Sequence, residues 1–362
     1  MKTTITTLQA LCACEITYHI HKYLPSGEVK VSESELIKVL GDKKSAFLKE
    51  SLFKGNYESR CFLDDAASCW IGKNSENELL IAFRGTVPFS FDLSTKRSRN
   101  RGLEALKDGM RNLFIQFKGD DKISEIYGEN SQVHEGFHQE TENMWTFLLS
   151  VIQEFDPHGK LPLTITGHSQ GGAIAFLSAL RLCNETKNSQ EPYLQNIGQR
   201  IQQVITFGAP QAGDKGFAQN YRKVYSFGKP GKTSEICLDD ITYRYEKAGD
   251  CIPFVPCNAK DLAALIRHRY SYLPISMFFM ESWVERMNGL MQQYVPVGQL
   301  KYITYREQET DCDRSYELRL ADLYLAWAEK GKKGDLFSIH FLFKDDGYIQ
   351  QYLKEEFLKT PK

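Results

Sequence analysis

The apolar residues of this chain fall into two alternating rhythms. Leu79-Leu80-Ile81-Ala82-Phe83 is an unbroken apolar run that predicts a buried strand; Leu161 to Thr166, Gln203 to Phe207 and Ile241 to Tyr245 read as three more. Between them, Asn143 to Glu154 repeats its apolar positions at helical spacing. The run Ala173 to Cys183, just after Gly171-Gly172, is apolar nearly all round, as a helix packed on a sheet would be, and Asp214 to Tyr221 predicts a short helix. This β-α-β-α-β order predicts an α/β fold with a mostly parallel central sheet and helices on both faces, whose ligands bind beyond the carboxyl ends of the strands. Residues 94–131 and 258–293 break the rhythm and read as insertions into one domain spanning 1–362.

Composition narrows the function classes. Lys plus Arg number 45 against 46 Asp plus Glu, a net charge of −1, which speaks against a nucleic-acid-binding surface. With 42% hydrophobic residues the chain can fill a core, yet no apolar run approaches the roughly 18 residues of a membrane span, so a soluble protein is expected. The nine cysteines are odd in number and unevenly spaced, which favours reduced thiols, Cys251 and Cys257 included. Gln9 and Glu15 interrupt what would be a signal-peptide apolar region, so the expected location is cytoplasmic, or one reached by a route without an N-terminal signal peptide.

The strongest chemical signal is Gly167-His168-Ser169-Gln170-Gly171-Gly172, a G-x-S-x-G that follows a predicted strand and opens a predicted helix. A sharp strand-to-helix turn lifts the serine hydroxyl clear of the sheet, and its small flanking residues let strand and helix approach. The Gln170 N–H, in the first helical turn, is a candidate donor to an oxyanion. A serine hydroxyl needs a general base, and the base a carboxylate to fix its tautomer. Asp250 lies just past a predicted strand, and His268 and His340 are the histidines that follow it.

Five blocks then occur in one order: Ala82-Phe83-Arg84-Gly85-Thr86, Val133-His134-Glu135-Gly136-Phe137, the Ser169 turn, Thr206-Phe207-Gly208-Ala209-Pro210, and Gly249-Asp250 with Ile252-Pro253 and Pro256. In these the chain resembles the class 3, fungal-lipase-like branch of the α/β-hydrolases. The resemblance implies Ser169 as nucleophile, Asp250 as orienting acid, and an oxyanion hole from Thr86 and Gln170, where the family usually has Leu in place of Gln170. It favours His340, in Phe337-Ser338-Ile339-His340-Phe341 ahead of a Tyr348-containing helix, as the base over His268 in the basic run Arg267-His268-Arg269. It implies a lipid ester substrate of lipase or phospholipase type, with no metal or organic cofactor.

Other readings compete. His134-Glu135-Gly136-Phe137-His138 is a literal H-E-x-x-H, which on a helix would present two histidines to zinc as in a metallopeptidase, although Gly136 weakens that helix. A lipid- or partner-binding protein that keeps the fold without hydrolysis, and an acyl-enzyme that hands its acyl group to an alcohol other than water, are further alternatives. Residues 96–118 carry seven Lys or Arg against Glu104 and Asp108, a local charge of +5, beside an apolar stripe of Leu103, Leu106, Met110, Leu113, Phe114 and Phe117. A lid, or a helix making transient contact with an anionic membrane surface, is expected there; a helix packed on the core is the alternative. The Met- and aromatic-rich stretch from Ile275 to Met291 reads as a helix packed on the hydrolase core.

Overall fold

A computed structural model describes residues 3–20, 27–32, 34–35, 56–63, 68–85, 117–185, 191, 193–194, 197–229, 232–254, 294–304, 309–311, 315–330, 340 and 348–349. Its strands are β1 (Gly27–Val31), β2 (Glu58–Leu63), β3 (Ser68–Lys73), β4 (Leu79–Phe83), β5 (Phe117–Lys118), β6 (Val133–His134), β7 (Leu163–His168), β8 (Ile201–Phe207), β9 (Val224–Lys229), β10 (Lys232–Cys237), β11 (Thr242–Lys247), β12 (Gln299–Ile303) and β13 (Glu309–Asp311). Its helices are α1 (Thr7–Ile20), α2 (Asp121–Tyr127), α3 (Glu135–Phe155), α4 (Gln170–Glu185), α5 (Ile197–Arg200), α6 (Lys215–Tyr221) and α7 (Tyr316–Lys330).

Nine strands form one sheet in the order β1-β2-β3-β4-β7-β8-β11-β12-β13. The central run β4-β7-β8-β11-β12 is parallel, while β1 to β4 on one flank and β13 on the other pair antiparallel. Parallel pairing requires crossovers over the sheet faces, which α3 and α4 supply between β4, β7 and β8. Side-chain alternation then divides the core. Cys69, Ile71, Leu79, Ile81, Phe83, Leu163 and Ile165 point to a core shared with α2, α3 and α4. Trp70, Leu80 and Ala82 point to the opposite face, against Cys12, Ala13 and Ile16 of α1. Farther along that face, Ala10, Leu11 and Cys14 of α1 meet Ile205, Phe207, Tyr245, Tyr348 and Ile349. This is the α/β-hydrolase arrangement.

The element at Leu79–Phe83 has its predicted limits. The second predicted strand is shifted two residues, to Leu163–His168, so it runs into the turn that carries Ser169. Helix α3 begins eight residues before the predicted Asn143. Its N-cap is His134, whose Nδ1 accepts from the Phe137 N–H, so Gly136 falls in the first turn. The antiparallel flank β1 to β3, the β9–β10 hairpin and the helices α1 and α7 were not predicted from the chain. Of the stretch 94–131, residues 117–131 are described: they hold β5, which pairs with β6, and α2, capped by Asp120. The charged segment 96–116, the stretch 258–293 and His268 lie outside the described residues.

Candidate active site

The site grows from the turn after β7. Ser169 stands between β7 and the first residue of α4 with φ +57°, in the left-handed region that costs a residue with a side chain about 1–2 kcal/mol. The surroundings hold it there: the Ser169 N–H donates to Phe207 O at 2.9 Å, and the Gly172 N–H donates to Ser169 O at 2.8 Å. Gly167 is obligatory for the turn, because a Cβ on it would stand 2.0 Å from Gly171 O. The end of β7 is thereby pressed against the start of α4. Gln170 opens α4, and its side-chain Nε2 donates to Glu140 Oε1 of α3 at 2.5 Å. The polar residue at this position is thus engaged by a carboxylate of the neighbouring helix.

Asp250 follows β11 at the carboxyl end of the parallel sheet and is fully buried. Its Oδ2 accepts from His340 Nδ1 at 2.8 Å and from the Tyr348 hydroxyl at 2.7 Å; its Oδ1 accepts from the Ile252 N–H at 2.9 Å. Burial by itself would push the Asp250 carboxyl up. The adjacent imidazole, its hydrogen bond, and those from Tyr348 and Ile252 outweigh that and hold it below the usual carboxylate value. With Nδ1–H committed to Asp250, His340 Nε2 is the basic nitrogen, and it is buried with no hydrogen-bond partner among the described residues.

These groups converge around one corner. Phe207 O receives the Ser169 N–H, and the next residue, Gly208, lies against Asp250, Tyr348 and His340. The ring of His168, immediately before Ser169, lies tilted against that of His340 with centroids 4.6 Å apart. A carboxylate, an imidazole with one uncommitted nitrogen and a strained serine thus share the carboxyl-terminal edge of the sheet. Such an assembly can relay a proton from a hydroxyl to a leaving group.

A class 3 lipase family model matches residues 81–259. Over this segment the chain is similar to the class 3 lipases. Among curated relatives of this family, the chain is 27% identical over 210 residues to a triacylglycerol lipase of Ricinus communis, a match covering 49% of this chain and 38% of that protein. It is 31% identical over 128 residues to a secreted mono- and diacylglycerol lipase of Gibberella zeae, covering 35% of this chain and 28% of the relative. The matched part is well under half the length of either relative. A solved Rhizomucor miehei lipase in complex with its propeptide is similar over 88% of this chain and 75% of that one, at 16% identity and TM-score 0.49.

Of the residues singled out in the sequence, the structure brings Asp250, His340 and the Ser169–Gln170 turn together; Thr86 lies outside the described residues. Two others were not anticipated as parts of the site. Tyr348 stood in the sequence only as part of a block after His340, and Tyr18 of α1 had no motif around it. Both lie outside 81–259, as does His340.

The H-E-x-x-H segment is divided by an element boundary. His134 closes β6 and caps α3 in an extended conformation, so only His138 is helical. His138 Nδ1 shares a hydrogen bond with the Tyr127 hydroxyl at 3.1 Å, and Glu135 is exposed. Among the described residues no group of three or more His, Cys, Asp or Glu is placed to hold a metal ion. Among the described residues Cys14, Cys61, Cys69, Cys183 and Cys237 are unbridged thiols.

Proposed function

We propose that this chain is a serine hydrolase of carboxylic esters, acting on lipid esters through an acyl-enzyme on Ser169. The observation that carries the reading is His340, with Nδ1 bound to a buried carboxylate and a bare, buried Nε2, beside a serine in a strained turn. In the reaction, Ser169 Oγ attacks the ester carbonyl carbon while His340 Nε2 accepts its proton. Asp250 keeps the imidazole in its Nδ1–H tautomer and stabilises the imidazolium that forms. The backbone N–H groups of Gln170 and Thr86 receive the oxyanion, His340 returns the proton to the leaving alcohol, and water then releases the carboxylic acid by the same steps in reverse.

The match to the class 3 lipase model and the glyceride lipases among the relatives support a lipid as the acyl donor. Contact of the basic segment 96–118 with an anionic membrane surface is part of the same proposal. Hydrolysis of emulsified triacylglycerol, phospholipid vesicles and a short-chain ester, each compared with Ser169→Ala, tests the reading. Turnover of at least one lipid ester that vanishes in Ser169→Ala supports it, and turnover unchanged by that substitution refutes it.

A further inference from the structure

The side chain of His168 faces away from the role that its neighbour Ser169 plays. Its Nε2 lies 2.7 Å from the main-chain carbonyl of His340, and its Nδ1 lies 2.7 Å from the hydroxyl of Tyr18. A carbonyl oxygen only accepts, so Nε2 carries the proton and Nδ1 is the bare nitrogen. The Tyr18 hydroxyl must therefore donate to Nδ1. The same hydroxyl lies against Gly85, one residue before Thr86, where a Cβ would stand within 2.2 Å of it. The direction of both bonds is fixed: Tyr18 O–H to His168 Nδ1, His168 Nε2–H to His340 oxygen.

These two bonds join three separate parts of the sequence. We propose that Tyr18, acting through His168, is a positioning residue of the active site, and that α1 in this way fixes the main chain of His340 relative to the turn of Ser169. The inference rests on the hydrolase reading above. Tyr18 touches none of the reacting atoms. It holds the imidazole neighbour of Ser169 in the one tautomer that can anchor the carbonyl of the base.

The surroundings keep that tautomer neutral. The groups facing His168 are Tyr18 from α1, the tilted ring of His340, the Asp250 carboxylate beyond it, and the ring of Tyr348 at 6.0 Å. Burial chiefly, and then the charge that His340 carries when protonated, lower the His168 pKa to about 3, against the opposing pull of the His340 carbonyl and of Asp250. When His340 takes up the serine proton, no second positive charge sits beneath it. Tyr18, His340 and Tyr348 all lie outside the segment that matches the family model, so the device is not part of that match.

The test uses the full chain with a short-chain ester and nitrogen-15 histidine spectra. Wild type is expected to show His168 as a neutral Nε2–H tautomer that does not titrate above about pH 4. Tyr18→Phe removes one oxygen and keeps the ring; kcat is expected to fall about tenfold with KM nearly unchanged. His168→Gln, which offers one donor and one acceptor, is expected to retain more kcat than His168→Leu. An Nδ1–H tautomer, titration of His168 near neutral pH, or wild-type kcat in Tyr18→Phe overturns the inference. If Tyr18→Phe does not fold, the wild-type tautomer and the Gln-against-Leu comparison decide. Turnover that survives in Ser169→Ala would instead refute the hydrolase reading itself.

Discussion

A Cβ on Gly208 would stand 2.7 Å from Asp250 Oδ2. It would also lie 3.0 Å from the Tyr348 hydroxyl and 3.1 Å from His340 Cε1, and the residue has φ +56°. These atoms do not move aside freely, because Asp250 Oδ2 is held by both His340 Nδ1 and the Tyr348 hydroxyl. Gly208→Ala is therefore expected to displace the Asp250–His340 pair and lower kcat/KM by about 100-fold, the loss expected of a misplacement of about 1 Å. Steady-state hydrolysis, with circular dichroism confirming a native fold, measures it.

Tyr348→Phe separates Asp250 from one of its donors. The hydroxyl donates to Asp250 Oδ2 and accepts from the Lys247 N–H at 3.2 Å. Its removal leaves a buried N–H without that acceptor and is expected to cost about 1–3 kcal/mol of stability by denaturant unfolding. Because the Asp250 carboxyl is held below its ordinary value, its contribution is present above that ordinary value and is lost as pH falls through the lowered one. With Tyr348 unable to donate, this loss is expected at a higher pH than in wild type.

The site was legible in the sequence where its chemistry is local. The Ser169 turn needs a small residue at 167 and a strand before it, both readable in a short window, and β4 is apolar along its whole length because both its faces are covered. Helix α1 was missed for the opposite reason. Ala10 to Thr17 are buried without interruption, so the segment has no polar face and no helical period. The start of α3 was misplaced because a histidine cap lets Gly136 occupy the first turn, where a glycine costs little. The links from Tyr18 to His168 and from Tyr348 to Asp250 span 150 and 98 residues, and pairing at such range leaves no trace in local patterns.

Acid should destabilise the protein through two buried histidines. His138 is lowered to about 4, chiefly by burial, and His168 to about 3. Both are neutral in the native chain and regain an ordinary pKa near 6.5 when unfolded, so between about pH 6.5 and 4 the unfolded state binds more protons. Stability is expected to fall as pH drops through this window. A His138→Asn variant should show a shallower slope there, measured as the pH dependence of the unfolding free energy.

The H-E-x-x-H segment predicts a further outcome. With His134 committed to capping α3 and Glu135 exposed, a metal chelator and the substitution Glu135→Gln are both expected to leave ester hydrolysis unchanged. Activity assays on a preparation whose zinc content has been measured check this. A loss restored by added zinc would revive the metallopeptidase geometry.

The central claim, that Ser169 is a nucleophile activated by His340, is tested most directly by a fluorophosphonate ester that forms a covalent bond with activated serines. Digestion and mass spectrometry then locate the label. The account predicts one label per chain on Ser169, absent from Ser169→Ala and formed at least about 100-fold more slowly in His340→Ala. A label that persists in Ser169→Ala, or a labelling rate on Ser169 unchanged by His340→Ala, would contradict it.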